Sequence, residues 1–232
     1  MQRLGVIIPS SNTTVEKEFS DILHGTKVSL HFARIPLSNV TIDGLLSMEK
    51  QTESAAQLLK DANVDAVAFA CTSGSLIKGK NHDLLIAKKI FKVLNCPVVI
   101  TSGAAVDALK KIRAHKISLA TPYIEEINKK EQEFFAQNEL EVIMTESLSL
   151  TDNLEIGRLT PTDAAALAIK ANSSLADAVF ISCTNFATFD EVSKLETQLK
   201  KPVISSNSAT LWASLNALQL KIHLPLGKLF EI

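Results

Sequence analysis

A chain of 232 residues, 46% hydrophobic and 21% charged, has the composition of a globular protein long enough for one large domain or two lobes of roughly 110 residues with cores of their own. Its formal net charge of −1 supplies no long-range field for nucleic acid or an anionic membrane, and no apolar run approaches the roughly 20 residues of a membrane span. Three cysteines, an odd number, do not make a disulfide framework.

The first apolar run, 4–8, is too short for a signal peptide and has no small-residue cleavage site, so it reads as a buried strand of a cytoplasmic protein. Asn12 and Thr13 then offer capping oxygens to a helix over 14–23. β-Branched runs continue at 28–35, 66–70, 98–100, 116–120, 141–146, 178–182 and 203–205. Segments of helical period lie between them at 47–62, 81–94, 104–113, 124–138, 161–172, 190–199 and 209–218. Apolar strands alternating with helices predict an α/β fold with parallel sheets covered on both faces. The longer connections, 36–41 and 149–160, are where functional loops are expected.

The chain repeats itself. The run Gly5-Val6-Ile7-Ile8-Pro9 returns as Ser118-Leu119-Ala120-Thr121-Pro122, Asp65–Thr72 as Asp177–Thr184, and Pro97-Val98-Val99 as Pro202-Val203-Ile204. Pro9 precedes Cys71 by 62 positions, and Pro122 precedes Cys183 by 61. Landmarks in one order predict two similar Rossmann-like lobes, each with a four-stranded parallel sheet, related by a pseudo-two-fold axis. The first lobe comprises 1–102 plus 207–232 and carries Cys71; the second comprises 103–206 and carries Cys183. Ligands of open parallel sheets bind beyond the carboxyl ends of the strands. Facing lobes would therefore line one cleft with both Cys-Thr turns.

Each cysteine ends an apolar strand and opens a polar turn: Cys71-Thr72-Ser73-Gly74-Ser75 and Cys183-Thr184-Asn185. Backbone N–H groups in such a turn can form an anion-binding nest, expected to lower a thiol pKa from about 8.5. A thiolate is both nucleophile and base, so two thiols on opposite faces of one carbon can move protons or form transient bonds without a cofactor. Either cysteine could instead be a buried strand residue, but their equivalent repeat positions argue against that. Cys96 has no polar turn after it and pairs with Lys201 in the repeat, so it reads as structural.

The segment Ile8-Pro9-Ser10-Ser11-Asn12-Thr13-Thr14-Val15-Glu16, the two cysteine turns, Asn153-Leu154-Glu155-Ile156-Gly157-Arg158-Leu159 and Pro202-Val203-Ile204-Ser205-Ser206-Asn207 resemble the maleate cis–trans isomerase and arylmalonate decarboxylase branch of the aspartate/glutamate racemase superfamily. The resemblance spans nearly the whole chain. It implies a cofactor-independent isomerase acting on a small carboxylate, with Cys71 as nucleophile and Cys183 as proton donor and acceptor. Arylmalonate decarboxylases carry glycine in place of the first cysteine, so Cys71 argues against that reaction.

The resemblance also makes Asn12, Tyr123 and Asn153 substrate-holding donors. Thr72, Ser73, Thr184 and Asn185 complete that set. Structural roles stand beside these: a helix cap for Asn12, packing for Tyr123, a loop turn for Asn153. No arginine or lysine lies in the cleft turns, so a dianion would be held by neutral donors, while Leu37–Val40 and Phe186-Ala187 could shape an apolar wall. Five histidines show no metal-ligand spacing, and no glycine-rich nucleotide motif is present. A homodimer is compatible with the resemblance, although nothing names its interface. Two-thiol racemisation of an amino acid or hydantoin, arylmalonate-type decarboxylation, and a binding protein without turnover are the alternatives.

Overall fold

The computed structural model describes residues Met1–Ile232. The first sheet contains β1 (Gln2–Pro9), β2 (Val28–Ile35), β3 (Ala66–Phe69) and β4 (Val98–Ile100) in the order β2-β1-β3-β4. The second contains β5 (Lys116–Tyr123), β6 (Glu141–Leu150), β7 (Ala178–Ile181) and β8 (Val203–Ser205) in the matching order β6-β5-β7-β8. Every pairing is parallel.

The repeat survives to single hydrogen bonds. Asp65 accepts from the Arg3 N–H at 2.7 Å, and Asp177 accepts from the Lys116 N–H at 2.8 Å. The residue before each cysteine is tied identically: Ala70 N–H to Ile7 O and Ser182 N–H to Ala120 O, both 2.8 Å. These bonds register the two cysteine strands equivalently against β1 and β5.

Eleven helices cover the sheets: α1 (Val15–Ile22), α2 (Ile42–Glu49), α3 (Thr52–Lys60), α4 (Thr72–Leu76), α5 (His82–Leu94), α6 (Thr101–Lys111), α7 (Glu125–Gln137), α8 (Asn153–Arg158), α9 (Pro161–Ala171), α10 (Val192–Leu199) and α11 (Ser206–Ala217). The single helix expected over 47–62 is two. The first begins earlier, capped by Thr41, which accepts from the Gly44 N–H at 3.2 Å. The chain breaks at Lys50-Gln51, where the Thr52 hydroxyl donates to Glu49 O at 2.7 Å. Glu49 is itself anchored by Lys78 and Lys89. Helix α11 starts at Ser206, ahead of the expected 209, because Ser205 and Ser208 form a reciprocal capping box.

Pleating decides which side chains meet. Ala66, Ala68 and Ala70 face one apolar cluster while Val67, Phe69 and Cys71 face the other. The second sheet repeats this, with Ala178 and Phe180 opposing Val179, Ile181 and Cys183. Both clusters draw residues from both sheets, so apolar packing is continuous across the lobes. Cys71, Tyr123 and Cys183 share one of them.

Candidate active site

Cys71 follows β3 and heads α4 with extended backbone, φ −149°. Its sulfur lies against Gly74, where an added Cβ would stand 3.0 Å away and collide with the Met48 methyl. A side chain at position 74 would therefore displace either the thiol or α2. Cys183 follows β7 and takes φ +91°, a conformation costly for a residue with a Cβ. The Asn185 N–H reaches back to its sulfur at 3.3 Å. The copies thus share strand register but differ in the turn: one continues into a short helix, the other bends sharply.

The turns are stitched together across the lobes. Thr72 Oγ donates to Ser206 Oγ at 2.8 Å, and that oxygen also accepts the Cys183 N–H at 3.1 Å. Thr184 Oγ donates to Ala70 O at 3.0 Å and accepts from Asn12 Nδ2 at 3.2 Å. Asn185 accepts the Thr13 N–H at 2.9 Å and donates to Asn153 O. Asn153 Nδ2 donates to Ser11 Oγ at 2.7 Å. Gly157 is required at this junction, since an added Cβ would lie 2.5 Å from Thr13 Oγ1 and 2.9 Å from Asn185 Nδ2.

The expected set therefore assembles around the two cysteines, with two corrections. Asn153 is not in a loop but opens α8, because Asp152 caps that helix by accepting the Leu154 N–H at 2.8 Å. Nor are the thiol pKa values lowered. Burial pushes Cys71 up to about 11, against the opposing Gly74 N–H and Ser73 hydroxyl. Burial likewise pushes Cys183 up to about 12, against Tyr123 and the Asn185 N–H. Desolvation of a charged thiolate outweighs a few donors. Tyr123, also fully enclosed, is pushed well up by burial and by the neighbouring thiol.

Asn12 takes the capping role and links the lobes as well. Its Oδ1 accepts the Thr14 and Val15 N–H groups at 3.0 Å, capping α1, while Nδ2 reaches Thr184. Arg34 supports the same turn from behind by donating to Ser10 O and Asn12 O. Leu37, Val40 and Phe186 pack in the apolar cluster of the cysteines. Cys96 lies two residues before β4, near Asp65. The candidate reading missed Ser206, whose repeat partner Thr101 also bonds a strand end, donating to Phe69 O at 3.1 Å; that equivalence was the available signal. Histidine, cysteine, aspartate and glutamate side chains form no group of three able to hold a metal ion, and no helix is long and apolar enough to cross a membrane.

Residues 4–230 match the family described as arylmalonate decarboxylase. The chain belongs to this family. Among its relatives, a maleate isomerase of Geobacillus stearothermophilus is 29% identical, the alignment covering 96% of this chain and 94% of the relative. An arylmalonate decarboxylase of Bordetella bronchiseptica is 24% identical over 76% of this chain and 74% of its own. The solved maleate isomerase of Pseudomonas putida S16 with maleate superposes with a TM-score of 0.94 at 26% identity, covering 99% of this chain and 97% of that one. The Nocardia farcinica maleate cis–trans isomerase, solved as a cysteine-to-serine variant with a covalently bound succinylcysteine intermediate, superposes with a TM-score of 0.94 at 25% identity, covering 99% and 98%. Within the family, the maleate isomerases are thus the relatives of higher identity and sequence coverage.

Proposed function

We propose that this chain is a cofactor-independent cis–trans isomerase that converts maleate to fumarate. The observation that carries the reading is the enclosed pair of thiols at equivalent strand ends, taken with the succinylcysteine intermediate of the Nocardia farcinica relative. Cys71 as thiolate adds to one alkene carbon, and Cys183 gives its proton to the neighbouring carbon. The adduct is a succinyl thioether whose central carbon–carbon bond is single and rotates. Cys183 then removes the proton, the double bond re-forms trans, and Cys71 leaves as thiolate.

Charge moves onto the carboxylate next to the carbon that is to be protonated. The Tyr123 hydroxyl and the amides of Asn12 and Asn153 suit its stabilisation as neutral donors, each amide having a second N–H beyond the one given to Thr184 or Ser11. Neutral donors are well matched to this step. A cationic clamp would hold bound maleate as tightly as the transition state and give little rate gain. Three unpaired cysteines also suit a reducing cytoplasm.

The test is incubation of the purified protein with maleate under reducing conditions, following fumarate. Absence of fumarate would sink the substrate assignment. Cys71→Ala should abolish turnover outright. Cys183→Ser should also abolish it while leaving a succinyl adduct on Cys71 detectable by mass spectrometry.

A further inference from the structure

The core-facing stripe of α7 contains Ile127, Asn128, Glu131, Phe134 and Phe135. Four of these have an evident task. The three apolar side chains pack, and Asn128 accepts from Thr121 Oγ1 at 2.9 Å while donating to Tyr123 O at 3.1 Å. Glu131 does not fit the stripe by packing. It is fully buried, Oε1 accepts the Ser182 hydroxyl at 2.6 Å, and Oε2 has no hydrogen-bond partner. A buried carboxyl without a cation is an expensive residue to keep in a core.

Its one partner is the residue immediately before Cys183. The titratable groups that face this region are few: Tyr123 of β5, Cys183 after β7, and Cys71 at the head of α4. The remaining charges of β6 point outward, Glu141 to Lys116 and Glu146 to Lys170. Burial raises Glu131 to about 7, so the carboxyl is partly ionised near neutrality. Its hydrogen bond to Ser182 sets it behind Cys183, where its negative charge adds to burial and to the neighbouring Cys71 thiol in raising Cys183. A nearby negative charge disfavours a thiolate and so favours the protonated thiol.

We propose that Glu131, acting through Ser182, is a positioning residue that keeps Cys183 the proton-bearing partner and leaves Cys71 to be the nucleophile. The repeat places Glu18 where Glu131 stands, but Glu18 is tied to Thr188, Phe189 and Asn207, whereas Glu131 is tied to the residue before Cys183; that difference in partner breaks the equivalence of the two thiols. The assignment of roles rests on the isomerase reading above, but the underlying asymmetry is measurable without substrate.

The test is iodoacetamide alkylation at a fixed pH of about 9, where Glu131 is ionised, read peptide by peptide by mass spectrometry, which follows the thiolate fraction at each cysteine. In a Cys71→Ser chain, Glu131→Gln should raise the alkylation rate of Cys183 about threefold, corresponding to about half a pKa unit. Glutamine keeps an oxygen for Ser182 but carries no charge. Glu131→Asp, which keeps the charge, should restore most of the slow rate. In a Cys183→Ser chain, Glu131→Gln should leave Cys71 unchanged. An unchanged Cys183 rate overturns the proposal, and so does equal acceleration of both thiols, which reports a loosened cleft. Ser182→Ala is the second variant should Glu131→Gln fold poorly. It removes the carboxylate's only hydrogen bond, favours neutral Glu131, and should give a smaller acceleration confined to Cys183. A chain that makes no fumarate yet shows the selective shift loses the substrate assignment and keeps this one.

Discussion

The Thr72 hydroxyl and Ser206 Oγ meet at 2.8 Å across the lobe boundary, and the same Ser206 oxygen accepts the Cys183 N–H. One hydroxyl thus sets the spacing between the turn that carries one thiol and the backbone that carries the other. Ser206→Ala would leave two buried donors without an acceptor, at about 1–3 kcal/mol. Urea denaturation should show that loss, and kcat should fall by more than KM rises. A variant with wild-type kcat would mean that the thiol spacing does not depend on this bond.

At Cys183 the backbone stands at φ +91°, where glycine is at ease and a Cβ is not. Cys183→Gly should therefore be more stable than Cys183→Ala by about 1 kcal/mol, reversing the usual order in regular structure. Thermal melts of the two inactive variants make the comparison. Alanine emerging as the more stable would show that the turn relaxes without strain.

The rate should climb with pH on the alkaline side. Only the thiolate of Cys71 adds to an alkene, and burial raises that thiol to about 11, so the reactive fraction grows as pH rises toward that value. The expected kcat/KM profile increases between about pH 6 and about pH 9. A flat profile across this range would place the activating deprotonation elsewhere.

Glu18 joins α1 to the second lobe by accepting the Thr188 and Phe189 N–H groups and the Asn207 amide. Three donors favour its ionised form, yet burial outweighs them and raises its pKa from 4.5 to about 7. The folded state therefore holds this proton more tightly than the unfolded chain. That contribution is complete below 4.5 and is lost as pH rises through 7. Glu18→Gln abolishes the titration and sets an amide N–H against existing donors. The stability gap between wild type and variant should be widest near pH 5 and narrow by about 1–3 kcal/mol toward pH 8. Urea midpoints at the two pH values decide it, and a constant gap would mean that Glu18 stays ionised throughout.

Much of this molecule was readable from local pattern. The strand boundaries at 28–35, 98–100 and 203–205 coincide with β2, β4 and β8, because β-branched runs bounded by turn residues leave little choice. Helix starts were less legible. The beginnings of α6 and α11 lie three residues ahead of expectation, since their first turns are polar and buried rather than amphipathic. The five-residue α4 carries too few residues to show a period. Asn153 looked like a loop residue because its helix is brief and the capping effect of Asp152 depends on side-chain geometry.

By itself the sequence determined the duplicated α/β plan and the equivalent placement of Cys71 and Cys183, since both follow from strand period and spacing along the chain. Only the tertiary structure decided that the thiols are enclosed and raised rather than lowered, that Ser206 ties their turns together, and that Glu131 stands behind one cysteine alone. Desolvation and hydrogen bonds between residues 23, 51 and 134 positions apart leave no periodic trace in a sequence; they exist only once the chain has packed.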